Sequence, residues 1–265
     1  MKGLILLDWD ATVVNGDDEI SYPPLQEIIE ARIDQGWYVG LNSDTPLNRL
    51  RGWWESLRLN GPIVAEKGAL IWWPGEKELV LSQTRSIFSA FREKMILALT
   101  KIEGVALFYG DSTHFIRSVR RVACNDEILV ALDAYRLCSL GMFVRLIREG
   151  NLICDPSATE KMYAFLKSVS PSHALISPID FSQRQGFLKI NALDTNKTTG
   201  VRVLLENWTK AEEVIMIGDS MNDYLDLPNV HHWAVGNAEP EFRMVAEKVA
   251  IESYSQGCIE LLSSL

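Results

Sequence analysis

The run Leu4-Ile5-Leu6-Leu7 is unbroken by any polar residue and stops at Asp8. A strand with one wet face alternates apolar and polar residues. A run without alternation belongs in the middle of a parallel sheet, where both faces are covered. The next segments supply the covers. Pro23-Pro24 suits the first turn of a helix, Leu25, Ile28, Ile29 and Ile33 recur at helical spacing, and Gly36 closes it. Residues 37–41 read as a second strand. Leu47, Leu50, Trp54 and Leu57 read as the inner face of a second helix that Asp44 or Thr45 can cap, and residues 63–65 as a third strand. This β-α-β-α-β alternation predicts an α/β fold built on a Rossmann-like parallel sheet. Residues 68–81 depart from it, with two short apolar runs flanking Pro74-Gly75-Glu76-Lys77, the pattern of a hairpin.

From about Ser82 to Ala192 the pattern is α+β. It predicts helices at 87–101, 126–140 and 157–169, strands at 105–109, 115–122, 174–179 and 187–190, and a hairpin of 143–147 with 152–154 about Glu149-Gly150. The α/β alternation then resumes with a helix at 198–208, a strand at 214–217, a helix from about Met221, a strand at 233–235 and a helix near Pro240. Two domains are expected: residues 1–82 with 193–265 as an α/β core, and residues 83–192 as an inserted α+β domain.

Composition narrows what such a chain can bind. Its 265 residues carry 26 Lys and Arg against 35 Asp and Glu, a formal charge of -9 that repels nucleic acid and anionic membranes at long range. The N-terminal apolar run is shorter than a signal-peptide core, and no run approaches the roughly 20 residues that span a bilayer. A cytoplasmic protein with a small-molecule ligand is expected, with no nucleic-acid or membrane partner. The four cysteines, Cys124, Cys138, Cys154 and Cys258, form no Cys-x-x-Cys pair and read as buried, reduced thiols. His231-His232 follows Pro228-Asn229 in an expected loop and lacks the spacing of zinc ligands on one helix face. Neither of the glycine-rich signatures of dinucleotide or P-loop nucleotide binding occurs.

In an open α/β sheet, ligands bind beyond the carboxyl ends of the strands, so chemistry is sought there. The first strand ends in Asp8-Trp9-Asp10-Ala11-Thr12, placing two carboxylates two positions apart. One could attack an electrophile while the other moves protons, although a single Asp-x-Asp also fits an ordinary turn. Asn42-Ser43-Asp44 ends the second strand with a hydroxyl and backbone amides suited to a phosphate oxygen, or simply to a helix cap. Lys197 opens a helix, as an anion-neutralising ammonium or a solvated charge. The strongest single signal is Gly218-Asp219-Ser220-Met221-Asn222-Asp223, because polar ligands clustered at a strand end are costly without a cation or a network to satisfy them.

Taken in order, Asp-x-Asp-x-Thr, a strand-end Ser, a helix-opening Lys and Gly-Asp-x-x-Asn-Asp resemble the four motifs of the haloacid dehalogenase (HAD) superfamily of phosphatases. The insert has the size and strand-rich pattern of the C2-type cap of the Cof-like subgroup. Ala65-Glu66-Lys67-Gly68-Ala69 is similar to that subgroup's Glu-Asn-Gly-Ala turn, and Ala234-Val235-Gly236-Asn237-Ala238 adds support. The resemblance implies a Mg²⁺-dependent phosphatase acting on a small phosphorylated metabolite, a sugar or polyol phosphate by class. Asp8 would be the nucleophile that forms an aspartyl-phosphate, and Asp10 the general acid and then base. Ser43, Asp44, Lys197 and Asn222 would surround the phosphoryl group. Asp8, Asp10 through its carbonyl, Asp219 and Asp223 would make the metal site, Asn222 and Asp223 behind the direct ligands or in the Lys197 network. Two departures stand out: Ala11 replaces a common Gly, and Asp44-Thr45 replaces Gly-Arg. A sugar-phosphate mutase and a non-catalytic phosphoryl-binding or signalling module are the alternatives. The basic run at 114–121 is read as a cap strand with a solvated face.

Overall fold

The structure, a computed structural model, describes residues 2–15, 19–110, 126–183, 185–207, 211 and 213–265. The expected strand at 115–122 and its basic run, like Cys124, lie outside these residues. The chain divides into two compact units, Met1–Leu81 with Thr195–Leu265, and Ser82–Asp194.

The first unit is an eight-stranded sheet in the order β14-β13-β12-β1-β2-β3-β4-β5. Its strands are β1 (Gly3–Leu7), β2 (Trp37–Asn42), β3 (Ile63–Ala65), β4 (Leu70–Trp72), β5 (Leu79–Val80), β12 (Val214–Gly218), β13 (Val230–Ala234) and β14 (Lys248–Val249). All run in one direction except β4, which is antiparallel to both β3 and β5 and forms with β5 the hairpin expected at 68–81. The unalternating run of β1 sits between β12 and β2, fully buried, so each of its leucines gains about 1.5–3 kcal/mol from burial. Leu4 and Leu6 pack against Val201 and Leu204 of α5 (Lys197–Asn207). The other helices of this unit are α1 (Pro24–Asp34), α2 (Leu47–Ser56), α6 (Pro240–Val245) and α7 (Tyr254–Ser263). Because β1, β2, β3 and β12 are parallel, Asp8, Ser43, Glu66 and Asp219 all follow strand ends on the same edge of the sheet.

The second unit holds α3 (Arg85–Leu99), β6 (Val105–Gly110), β7 (Ile128–Asp133), β8 (Ser139–Arg148), β9 (Asn151–Ile153), α4 (Pro156–Val169), β10 (Asp180–Ser182) and β11 (Phe187–Asn191). Its sheet has the order β10-β11-β8-β7-β6, with β9 on β8. Phe88, Phe91 and Met95 of α3 and Met162 and Leu166 of α4 pack with Val130, Leu132, Met142 and Val144 of the sheet. Its two ends are tied at Asp194, which accepts from Ser82 Oγ at 2.7 Å and from the Gln83 amide at 2.8 Å.

Several expectations are corrected. Residues 126–140 are not a helix but β7 and the start of β8. The run Ile128-Leu129-Val130-Ala131-Leu132 is too short and too uniformly apolar for periodicity to decide, and pairing with β6 and β8 on its two sides makes it a strand. At 174–179 only Ile176 bridges, to Ala192, and the strand begins two residues after Pro178, which has no N–H for a ladder. From Met221 the chain makes one 3₁₀ turn, Met221–Asp223, rather than a helix. His231 and His232 lie in β13 and not in a loop; buried His232 accepts the Leu225 amide at Nε2 (2.9 Å), and burial lowers its pKa. Among the described cysteines, Cys138 and Cys258 are buried, whereas Cys154 is exposed. No helix among the described residues is long and apolar enough to cross a membrane.

Candidate active site

Beyond β1 the chain must turn sharply, and Ala11 takes a left-handed conformation (φ 62°) that costs a non-glycine residue about 1–2 kcal/mol. The turn is nevertheless held. The Val13 amide donates to the Trp9 carbonyl at 2.9 Å, and the Asn237 side chain donates to the Ala11 carbonyl at 2.7 Å. Asn237 in turn accepts the Tyr254 amide at 2.8 Å, so the start of α7 fixes the clamp on this turn.

This turn presents Asp8, buried and 5% exposed, and Asp10, exposed. Lys197 Nζ lies 2.6 Å from Asp8 Oδ1 and 2.5 Å from Asp223 Oδ1. Thr12 Oγ1 stands 3.2 Å from Asp8 Oδ2 and 3.1 Å from Asp219 Oδ1, so its single proton is shared between two carboxylates. Thr45 Oγ1 donates to Asp10 Oδ2 at 2.5 Å. That bond explains a correction: neither Asp44 nor Thr45 caps α2, whose N-cap is Pro46 with no side-chain cap, because the Thr45 hydroxyl is committed to Asp10. Ser43 is almost fully buried, and its Oγ accepts the Thr45 amide at 3.1 Å.

Asp223 is fully buried and both of its oxygens are occupied. Oδ1 meets Lys197, while Oδ2 accepts the amides of Asp219 at 3.0 Å and Ser220 at 3.1 Å. A Cβ on Gly218 would fall 2.4 Å from Asp223, so glycine is required for the carboxylate to fold back this way. Gly68 has a parallel role. At φ +88° it brings the Glu66–Gly68 turn against the residue before Lys197, where a Cβ would lie 1.9 Å from the Asn196 carbonyl oxygen. Gly68→Ala is therefore expected to lower the unfolding free energy by about 2–4 kcal/mol, from left-handed strain plus overpacking. Denaturant titration checks this, and an unchanged midpoint would show that Asn196 can yield.

The electrostatics follow from one buried ammonium serving several acids. Burial raises the Asp8 carboxyl well above the usual carboxylate range, with Asp223 and Asp219 adding and Lys197 opposing. Asp219 is pushed up to about 6, by burial and then by Asp223. Burial works against the charge on Lys197, but Asp223 and Asp8 outweigh it and hold the ammonium above its ordinary pKa.

These groups open onto a cavity of about 320 Å³ lined by Asp8, Asp10, Ser43, Asp44, Lys67, Lys197, Asp219, Ser220, Asn222 and Glu239. Of the residues given a role in the sequence, Asp8, Asp10, Ser43, Asp44, Lys197, Asp219 and Asn222 reach its wall, and Asp223 stands behind it. Asn222 is exposed on the wall and outside the Lys197 network. Thr12, Lys67, Glu239 and Asn237 carry no assigned role in the sequence reading, and Thr45 only that of a helix cap. Thr12, Lys67 and Asn237 fall within quoted motifs, and Glu239 has no signal.

Asp8, Asp219 and Asp223 each present a carboxylate oxygen, all within 4.8 Å of one another. Hard oxygen donors without His or Cys fit Mg²⁺, and a divalent cation would favour the ionised forms of Asp8 and Asp219 that burial and the neighbouring carboxylates disfavour. Asp223, with both oxygens engaged, serves Lys197 and the loop first.

The family model described as haloacid dehalogenase-like hydrolase matches residues 5–262. No curated protein matches the sequence. Among solved structures, a haloacid dehalogenase-like hydrolase from Bacteroides thetaiotaomicron is 20% identical, with a TM-score of 0.67 over 100% of this chain and 99% of that one. A Thermotoga maritima protein is 18% identical, with a TM-score of 0.66 over 100% and 98%. A structure described as belonging to a phosphoryl-transfer superfamily is 16% identical, with a TM-score of 0.60 over 100% and 98%.

Proposed function

The chain belongs to the haloacid dehalogenase-like hydrolases, and on that premise we propose that it is a Mg²⁺-dependent phosphatase that releases phosphate from a small phosphorylated metabolite through an aspartyl-phosphate. A sugar or polyol phosphate is the substrate class. The observation that carries this reading is Lys197, bonded to both Asp8 and Asp223 on the wall of the 320 Å³ cavity. A carboxylate is a poor nucleophile toward a phosphate dianion until nearby positive charge offsets their repulsion.

In the first step an Asp8 oxygen attacks phosphorus, the ester P–O bond breaks, and the leaving oxygen takes a proton from Asp10. Asp10 is exposed enough to exchange protons, and its bond from Thr45 fixes the carboxyl plane. In the second step Asp10 takes a proton from water as the water oxygen attacks phosphorus. The bond between phosphorus and Asp8 breaks, and inorganic phosphate leaves. Ser43 and Lys197 hold the phosphoryl oxygens in both steps, with Asp44 and Asn222 at the rim. Asp8, Asp219 and the Asp10 main-chain carbonyl would hold Mg²⁺, with Asp223 behind them, and its charge would stabilise the negative charge that builds on the phosphoryl oxygens. In the same reading, residues 82–194 act as the substrate-selecting cap.

The decisive experiment measures phosphate released from a panel of phosphorylated metabolites with Mg²⁺ and with chelator. Release with Mg²⁺ alone supports the proposal. Chelator-resistant turnover would remove the metal from it, and transfer to a second hydroxyl without release would replace hydrolysis by mutase activity.

A binding measurement tests the metal independently. The folded-state pKa of Asp219 is raised to about 6, so its protonated form stabilises the fold at low pH, and that contribution is lost as pH rises through about 6. Mg²⁺ must displace the proton below that point and meets an ionised, poorly compensated carboxylate above it. The rise in Tm on adding Mg²⁺ is therefore expected to be larger at pH 7.5 than at pH 5. Equal shifts at both pH values would take Asp219 out of the metal site.

A further inference from the structure

The cavity wall has more negative than positive charge. Asp8, Asp10, Asp44, Asp219 and Glu239 line it, against Lys67 and Lys197. Lys197 is not available to a newcomer without competition, because it is buried and bonded to two carboxylates. Lys67 differs on each count. It is half-buried on the wall, and among the described residues it has no ion pair.

Its backbone is set with unusual firmness for a lysine. Glu66, Lys67 and Gly68 have consecutive positive φ values of 46°, 58° and 88°. The Glu66 amide donates to the Thr45 carbonyl and the Lys67 amide to the Ser43 carbonyl, each at 3.2 Å, while Gly68 abuts Asn196. The turn is thus held between the Ser43 loop and the start of α5, two segments that supply Ser43 and Lys197 to the same cavity. Left-handed conformations at non-glycine residues are costly and persist where the surroundings impose them, so the location of this lysine is fixed by the architecture rather than by local preference.

We infer that Lys67 is a second phosphate-binding cation, the one whose charge meets the substrate's phosphate dianion on entry. The inference rests on the phosphatase reading, deepening it by naming the group that admits a dianion into a wall of carboxylates. A charge that contacts the phosphate in both the bound ground state and the transition state raises affinity for each, so its loss falls on KM more than on kcat.

The probe is inorganic phosphate, titrated in the presence of Mg²⁺ by calorimetry on the full-length protein, beside the kinetics of one hydrolysed monoester. Lys67→Asn removes the charge with a residue that favours positive φ, and Lys67→Arg keeps the charge. Lys67→Asn is expected to weaken phosphate binding and raise KM by roughly 10- to 100-fold, the range for a lost charge-assisted hydrogen bond. Lys67→Arg is expected to restore both to within about threefold of wild type. If folded Lys67→Asn binds phosphate like the wild type, the inference is wrong. If Lys67→Asn does not fold, Lys67→Gln is titrated in its place, with the same two outcomes. A wild type that binds phosphate through Lys67 yet hydrolyses no monoester would defeat the phosphatase reading and leave this inference standing.

Discussion

Asp8→Asn is expected to lose turnover by roughly 10⁴-fold or more while melting at or above the wild-type temperature at pH 7.5 without metal. The amide keeps the volume of the carboxylate and can still accept from Lys197, but it cannot attack phosphorus as an anion. The stability half of the expectation comes from burial, which raises the Asp8 carboxyl well above the usual range. Such a group stabilises the fold when protonated, below its unfolded pKa, and that contribution is lost as pH rises through the folded one. At neutral pH the metal-free wild type therefore carries a cost that the variant lacks, and the difference should shrink as pH falls toward 4. Phosphate release and thermal melts in chelator at pH 7.5 and 4.5 check both halves. Retained turnover would take the nucleophile's role from Asp8. A large drop in Tm would make the carboxylate a structural group instead.

The sequence carries the first unit's architecture well, because β1 and β12 are unalternating apolar runs whose burial on both faces leaves them one place to go. Residues immediately beyond such strands inherit a location from topology, which is why Asp8 and Asp219 are legible as neighbours, whereas Ser43 and the helix-opening Lys197 join them only through the resemblance of the four motifs taken in order. What strand-end logic misses are side chains whose role depends on a turn. Thr45 looks like a helix cap in the sequence, and only the fold of the Ser43 loop directs its hydroxyl to Asp10. Lys67 sits in a left-handed turn that no periodicity reports. Asn237 acts through a carbonyl 226 positions away in sequence. The two departures from the resembled motifs were legible as departures, but their consequences were not. Ala11 accepts the positive φ that Gly would adopt freely and is clamped there by Asn237, and Asp44 lines the cavity without capping α2. In the second unit, 128–132 fits a buried strand and a helix segment equally, and only the pairing with β6 and β8 decides.

Lys197→Met should separate the site's two uses of charge, because it differs from Asp8→Asn in what it leaves behind. Asp8→Asn removes an acid from a group already rich in acids. Lys197→Met removes the ammonium that holds Asp8 and Asp223 together, and Asp223 is fully buried, away from the solvent-exposed surface. Breaking a buried ion pair from one side costs about 3–5 kcal/mol, since the remaining charge stays in a poor solvent. In a unit of this size that corresponds to a fall in Tm of roughly 10 °C. Turnover should fall at least as far as in Asp8→Asn, because the phosphoryl oxygens lose a cation and Asp8 loses the charge that opposes its upward pKa shift. Acidification should narrow the stability deficit, as the stranded carboxylates take up protons. The double variant Lys197→Met/Asp223→Asn should recover much of the lost Tm and none of the turnover, since it removes the stranded charge without restoring the cation. Melting curves and phosphate release for the single and double variants measure the two effects separately. If Lys197→Met melts with the wild type, Asp223 has found another partner, and the buried ammonium is there for chemistry alone.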